Sequence, residues 1–310
     1  MKESTVKSIK PDYRAGFVAL LGEPNAGKST LMNAVLGEKI SIVSEKPQTT
    51  RGRIHGLYSD DDGQIVFVDA PGTIESTSGI NSFLRDEVQD VIRRADAVLV
   101  VLGADTDDKT AARLLQMATE SKKPFTVVVT KGDLISGERA PKSLPTLIAT
   151  GAPFITISAL KRETEARELV VSRLYPLLPK APGPLYDEEL LTTETVRKLS
   201  AEFIREACFN HTRQEIPYGL AIRIVKFQEP DAESDITKIF AEIVVERTAH
   251  KAIVIGAKAS NLKKIGMDAR KAIEKLIGEK IYLDLHVDVR EGWTKNKRML
   301  KELGYVIVKE

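Results

Sequence analysis

Gly22-Glu23-Pro24-Asn25-Ala26-Gly27-Lys28-Ser29 fits the spacing G-x-x-x-x-G-K-[ST], with Thr30 directly after it. Such an arrangement is suited to holding a chain of phosphates. The glycines let backbone N–H groups curl around an anion, and a helix N-terminus adds partial positive charge. Lys28 adds a full charge, and the Ser29 hydroxyl can ligate Mg²⁺. Asp69-Ala70-Pro71-Gly72, followed by Thr73, closes the apolar run IVFV. An Asp at a strand's carboxyl end can hold Mg²⁺ through a water, and Gly72 can offer its N–H to a γ-phosphate. Alone, the tetrapeptide also reads as a strand-ending turn. Thr130-Lys131-Gly132-Asp133 closes the run FTVVV. A carboxylate there can accept from N1–H and N2–H₂ of guanine, whereas adenine would leave it unpaired. Ser158-Ala159-Leu160 ends a further apolar run and can offer a backbone N–H to guanine O6.

These groups must be carried by strands whose carboxyl ends lie together. Gly16–Leu21, Gln64–Val68, Ala97–Leu102, Phe125–Val129 and Phe154–Ile157 are continuous apolar runs. They alternate with helical stretches Ser29–Leu36, Asn81–Arg93, Ala111–Ser121 and Glu163–Leu177. That alternation predicts an α/β domain, a mostly parallel sheet with helices on both faces, binding at the strands' carboxyl ends. The expected organisation is a flexible N-terminus over 1–14, this domain over 15–178, and a proline-rich linker over 179–192. A small α+β domain of order α-β-β-α-α-β follows over 193–310. Within it the expected pieces are a helix over Thr193–Asn210, strands over Tyr218–Phe227 and Ile236–Glu246, and a basic segment Gly256–Lys264. A helix over Met267–Ile277 and a strand over Lys280–Val289 complete it.

At 310 residues, 42% hydrophobic and 29% charged, the chain has enough apolar content for two cores. Its one cysteine excludes an intrachain disulfide and a cysteine metal site, and His55, His211, His250 and His286 are scattered. The expectation is a cytoplasmic protein with no export signal or membrane span. Net charge is only +2, yet residues 251–310 hold 14 Lys and Arg against 8 Asp and Glu. This excess reads either as solvated faces or as a surface for a polyanion. Cys208 reads as a small core residue. Trp293 reads as core or as a base-stacking aromatic.

Taken together, GEPNAGKST (22–30), KISIVSEKPQTTRGRIHG (39–56), DAPGT (69–73), TKGD (130–133) and SAL (158–160) carry a resemblance. So do QEIPYGLAIRI (214–224), VIGAKASNLKKIGMDAR (254–270) and the terminal GW…LKELGY (292–305). The chain resembles the Era family of bacterial GTPases, of the TrmE-Era-EngA-like Ras type, over almost its whole length. The resemblance implies a GTPase domain followed by a type II KH domain. Its implied role is a slow GTP-hydrolysing switch that binds the 3′ end of small-subunit (16S) ribosomal RNA and assists 30S assembly. An RNA-binding assembly factor whose nucleotide site is only regulatory is the alternative. Peripheral contact with a membrane surface is a further reading, and a monomer is expected.

By the same resemblance Thr50 would join Ser29 on Mg²⁺ when GTP is bound, with Asp69 close by. Asn25 would help hold K⁺, or else serve only as a turn residue. RNA would lie on Gly256, Ala257, Lys258 and Ala259 and on Lys263, Lys264 and Arg270, beside Lys271. Three positions depart from the family pattern. Thr130 replaces an asparagine that ties its loop to the phosphate loop, which predicts weaker nucleotide binding with guanine selectivity kept. Thr73 replaces an apolar residue, and no glutamine stands there to orient water, so no general base is assigned. Ala259 replaces the second glycine of a G-x-x-G loop. Placed in the first turn of a right-handed helix, it would lose helix stability on substitution by glycine.

Overall fold

The computed structural model describes residues 9–43, 51–72, 80–135, 140–213, 216–231 and 235–305. The chain divides into two compact units. The first holds 1–40, 53–73 and 88–193; the second holds 41–52, 74–87 and 194–310.

The sheet of the first unit comprises β1 (Arg14–Leu21), β2 (Ile54–Ser59), β3 (Gly63–Asp69), β4 (Ala97–Gly103), β5 (Phe125–Thr130) and β6 (Phe154–Thr156). Their order is β2-β3-β1-β4-β5-β6. Only β2 runs antiparallel, against β3. β3 and β4 are buried along their whole length, as parallel strands covered on both faces must be. The order reverses at β1, which lies between β3 and β4, so the loop leaving β1 sits where such sheets bind ligands.

The helices are α1 (Lys28–Leu36), α2 (Ile80–Arg94), α3 (Asp108–Glu120), α4 (Leu144–Thr150) and α5 (Glu163–Leu174). α2 contributes residues to both units. Val88, Val91 and Ile92 join Leu114, Leu115 and the strand residues Val98, Val100 and Val127 in the first core. The helix expected to reach Leu177 ends at Leu174 and tightens into a 3₁₀ turn over Tyr175–Leu177. Pro176 explains the change, because its nitrogen has no hydrogen to donate. Two elements of this unit have no counterpart in the sequence reading: β2, an edge strand whose apolar residues are separated by His55 and Gly56, and α4, only seven residues long. The stretch after 178 packs against the same unit. Gln64 Nε2 donates to Tyr186 O, its Oε1 accepts from Leu185 N and Tyr186 N, and Leu57 N donates to Leu191 O.

The second unit contains α6 (Val196–His211), β7 (Leu220–Gln228), β8 (Thr237–Val245), α7 (Thr248–Ile255), α8 (Ser260–Ile277), β9 (Ile281–Val289) and α9 (Lys297–Glu302). The strands lie in the order β7-β8-β9, with β8 antiparallel to β7 and parallel to β9. The order of element types is α-β-β-α-α-β, but its first middle helix is α7, which the sequence does not predict, while the expected basic segment 256–264 is a turn and the opening of α8; α9 follows behind. α8 starts at Ser260, well before the expected Met267. The helix runs through Gly266. A second cluster gathers Ala221, Val244, Trp293, Leu300 and Leu303 with Ile80 and Leu84 of α2. Trp293 is fully buried and its Nε1 donates to Gly219 O, so it is core. Cys208 is buried as well, and burial pushes its thiol up to about 12. No helix among the described residues is long and apolar enough to cross a membrane.

Candidate functional site

The phosphate loop joins β1 to α1. Asn25 and Gly27 both take positive φ, 65° and 91°, and Gly27 sits at the N-cap of α1 without any side-chain cap. A helix opened this way leaves its first N–H groups pointing at whatever anion the loop surrounds. Lys28 is buried, and its Nζ donates to Gly22 O at 3.1 Å and Glu23 O at 2.9 Å. Burial brings the ammonium down to about 8, although Asp69 and Glu23 act against the shift.

Ser29 Oγ donates to Asp69 Oδ2 at 2.6 Å. A hydroxyl and a carboxylate side by side are the hard oxygen donors Mg²⁺ prefers, so these residues fit that ion. Ala70, Pro71 and Gly72 are buried next to them. A Cβ on Gly72 would stand 2.4 Å from Pro24 N, so only glycine allows this close approach of the DAPG turn to the phosphate loop. Thr30 lies half-buried in the first turn of α1. Thr50 and Thr73 lie outside the described residues.

Thr130 ends β5 and is 2% exposed. Its Oγ1 donates to Ala26 O at 2.5 Å and lies 3.2 Å from Leu102 O. The hydroxyl thus ties the loop to the phosphate loop, the task expected to be only partly filled without asparagine. Lys131 adopts φ 58°, and its Nζ reaches Asp105 at 3.2 Å. The left-handed turn at Lys131 and the bond from Gly132 N to Ile157 O (2.8 Å) set Asp133 beside the end of β6.

Asp133 and Ser158 line a cavity of about 360 Å³, with Gly132, Ile157, Lys161 and Arg162 around them. Ser158 Oγ donates to Asp133 Oδ1 at 2.8 Å, and Lys161 Nζ stands 3.3 Å from Oδ2. The Ser158 bond, helped by Lys161, holds the carboxyl below its ordinary range. An ionised carboxylate on such a cavity can accept two N–H bonds from a planar base. Ala159 is buried and Leu160 is 76% exposed. The Ser158 side chain is an addition to the sequence reading, which assigned that tripeptide only a backbone role.

In the second unit, α7 and α8 meet at residues 256–259. Gly256, Lys258 and Ala259 all have positive φ, at 71°, 51° and 59°. Ala259 is therefore left-handed (ψ 22°), not the first right-handed residue of α8 as expected. The loop turns too sharply for two consecutive right-handed residues, and Asn261 holds the turn in place. Its Nδ2 donates to Ile253 O and Val254 O at the end of α7 and to His211 O. Asn261 is missing from the sequence reading, since an asparagine in a helix's first turn has no distinctive spacing. α8 buries Ile265, Ala269 and Ile273, while Lys263, Lys264, Arg270 and Lys271 are exposed, as are Ala257 and Lys258.

The family described as "50S ribosome-binding GTPase" matches residues 17–131, and a KH domain matches 215–294. GTPase Era of Geobacter metallireducens is 39% identical, over 94% of this chain and 98% of its own length. That of Nitratidesulfovibrio vulgaris (strain Miyazaki F) is 40% identical, over 95% of this chain and 98% of its own. The chain belongs to the Era GTPase family. An Aquifex aeolicus Era variant bound to GDP·AlF4⁻ superposes with a TM-score of 0.87 at 31% identity, covering 95% of this chain and all of that one. An Era in complex with MgGDPNP and nucleotides 1506–1542 of 16S ribosomal RNA gives 0.86 at 31%, with the same coverage. The fold is thus a P-loop GTPase domain followed by a KH domain.

Proposed function

We propose that this chain is a GTP-hydrolysing switch that binds the 3′ end of 16S ribosomal RNA through its KH domain and assists 30S assembly in the cytoplasm. One observation carries the reading: a phosphate loop with the Ser29–Asp69 oxygen pair shares a unit with the Asp133 cavity. Triphosphate, metal and guanine all have partners of matching chemistry there. The nucleotide is held by residues 22–30, Asp69 to Gly72, Thr130 to Asp133 and Ser158 to Leu160, and Mg²⁺ by Ser29 with Asp69 close by. Family resemblance adds Thr50 to the metal, Thr73 to the nucleotide and K⁺ near Asn25. RNA lies on residues 256–259, Lys263, Lys264 and Arg270. The protein acts as a monomer, and peripheral contact with anionic lipid through the same lysines is a lesser part of the reading.

Single-turnover hydrolysis of GTP, with Lys28→Ala as control and in KCl against NaCl, tests the enzyme and the cation. Binding of an RNA spanning nucleotides 1506–1542, with GTP analogue or GDP present, tests the partner. Hydrolysis that Lys28→Ala abolishes supports the switch. GTP and RNA binding without turnover would instead favour a regulatory nucleotide site, a reading to which the absence of glutamine from DAPGT lends weight.

A further inference from the structure

The carboxylate of Asp133 already has partners within its own unit. Ser158 Oγ donates to Oδ1 at 2.8 Å. The backbone N–H of Asp133 itself bonds to the carboxylate, and Lys161 Nζ stands 3.3 Å from Oδ2. An ionised carboxylate offers about four acceptor positions, shared between its two oxygens. With these partners in place, about one position remains.

Guanine presents N1–H and N2–H₂ on the edge that meets such a carboxylate, so it needs a position for each. One of the present partners must then give way. The backbone N–H cannot leave, and Ser158 is half-buried just beyond β6. Lys161 can leave, because its side chain is 67% exposed while that of Asp133 is 21% exposed. Its ammonium is a point charge on a long, flexible stem. Arg162, the other cation on the cavity, is turned to a different carboxylate, with Nη1 3.4 Å from Glu165 Oε2. Hypoxanthine has the O6 and N1–H of guanine but lacks the 2-amino group. It needs one position, and the carboxylate keeps one with Lys161 still in place.

We propose that Lys161 is a specificity-determining residue that competes with the 2-amino group of guanine for Asp133, so that guanine must displace it and hypoxanthine need not. This rests on the assignment of Asp133 to the base in the function proposed above. An exposed ion pair is weak, so Lys161 lowers guanine affinity without closing the cavity.

The test is the affinity of the full chain for GDP, inosine diphosphate and ADP, measured by isothermal titration in the natural protein and in Lys161→Met. Loss of the cation alters attraction for the diphosphate equally in GDP and inosine diphosphate, so the ratio of their affinities isolates the base. Lys161→Met should raise the preference for GDP over inosine diphosphate by about two- to fivefold. In the natural chain the same preference should rise between about 50 and about 500 mM KCl, because salt screens an exposed pair. In Lys161→Met it should not change with salt. A preference that Lys161→Met leaves unchanged or lowers overturns the proposal, as does one that rises with salt equally in both proteins. A natural chain that binds ADP as tightly as GDP overturns instead the reading of Asp133 as the guanine contact.

Discussion

Burial disfavours the charge on Lys28 and brings it down to about 8. A bound triphosphate restores a charged partner, so nucleotide binding takes up a proton wherever the free protein has lost it. The sign follows. Below pH 8 Lys28 is already charged, and affinity is independent of this group. Above pH 8 the proton must be acquired on binding, and GTP affinity should fall by up to about tenfold per pH unit until the bound-state value is reached. Isothermal titration between pH 7 and 9.5 checks this, and a flat profile would contradict it. Thr130→Val tests the neighbouring residue. It keeps the shape but leaves Ala26 O without its hydroxyl donor, a loss of about 1–3 kcal/mol. GTP and GDP affinity should weaken together by about tenfold, with preference for guanine over adenine unchanged, because Asp133 is untouched.

At the scale of elements, the loop between α7 and α8 reverses an expectation. Because Ala259 is left-handed, its methyl group is strained where a glycine would not be. Ala259→Gly should therefore stabilise the second unit, by about 1 kcal/mol, rather than cost helix stability. Thermal unfolding of the full chain reads the sign directly. Asp90 on α2, paired with Arg53, Arg93 and Arg94, makes stability depend on pH. Burial alone would raise Asp90, but bonds from Arg93, Arg53 and Arg94 bring it down to about 2. A lowered carboxyl contributes stability that is complete above pH 4 and is lost as pH falls through about 2. Asp90→Asn should remove this acid-dependent part of the unfolding profile.

These elements also show what the sequence could carry. β3 and β4 are legible because they are apolar throughout, and the phosphate loop because its chemistry needs fixed spacing. β2 and α4 are short or only half apolar, so neither period emerges. The conformation of Ala259 is set by how α7 and α8 meet, and Asn261 acts through carbonyls that only the fold brings within reach. Arg51 is visible in the string TTRGR, but its burial against residues 217–220 depends on contacts about 170 positions away.

For the whole molecule, net charge hides an asymmetry that RNA binding should reveal. The chain carries only +2, while the exposed cations of the 256–271 region stand together on one helix and its loop. If Lys258, Lys263, Lys264 and Arg270 each neutralise one phosphate of a single strand, log affinity should fall against log salt with a slope of about −3. Lys258→Ala should reduce that slope by about 0.7 and weaken binding at low salt, whatever the sequence of the RNA. Lys109, exposed on α3 of the first unit, supplies the control: Lys109→Ala changes total charge equally and should leave the slope alone. Filter binding from 50 to 300 mM KCl, about the range in which such slopes are read, measures both variants. Equal slopes in the natural chain and both variants would mean that the 256–259 loop holds no phosphate, and RNA would have to be sought on another face of the second unit. A slope lowered by Lys109→Ala as much as by Lys258→Ala would mean that diffuse net charge attracts the RNA rather than a built loop.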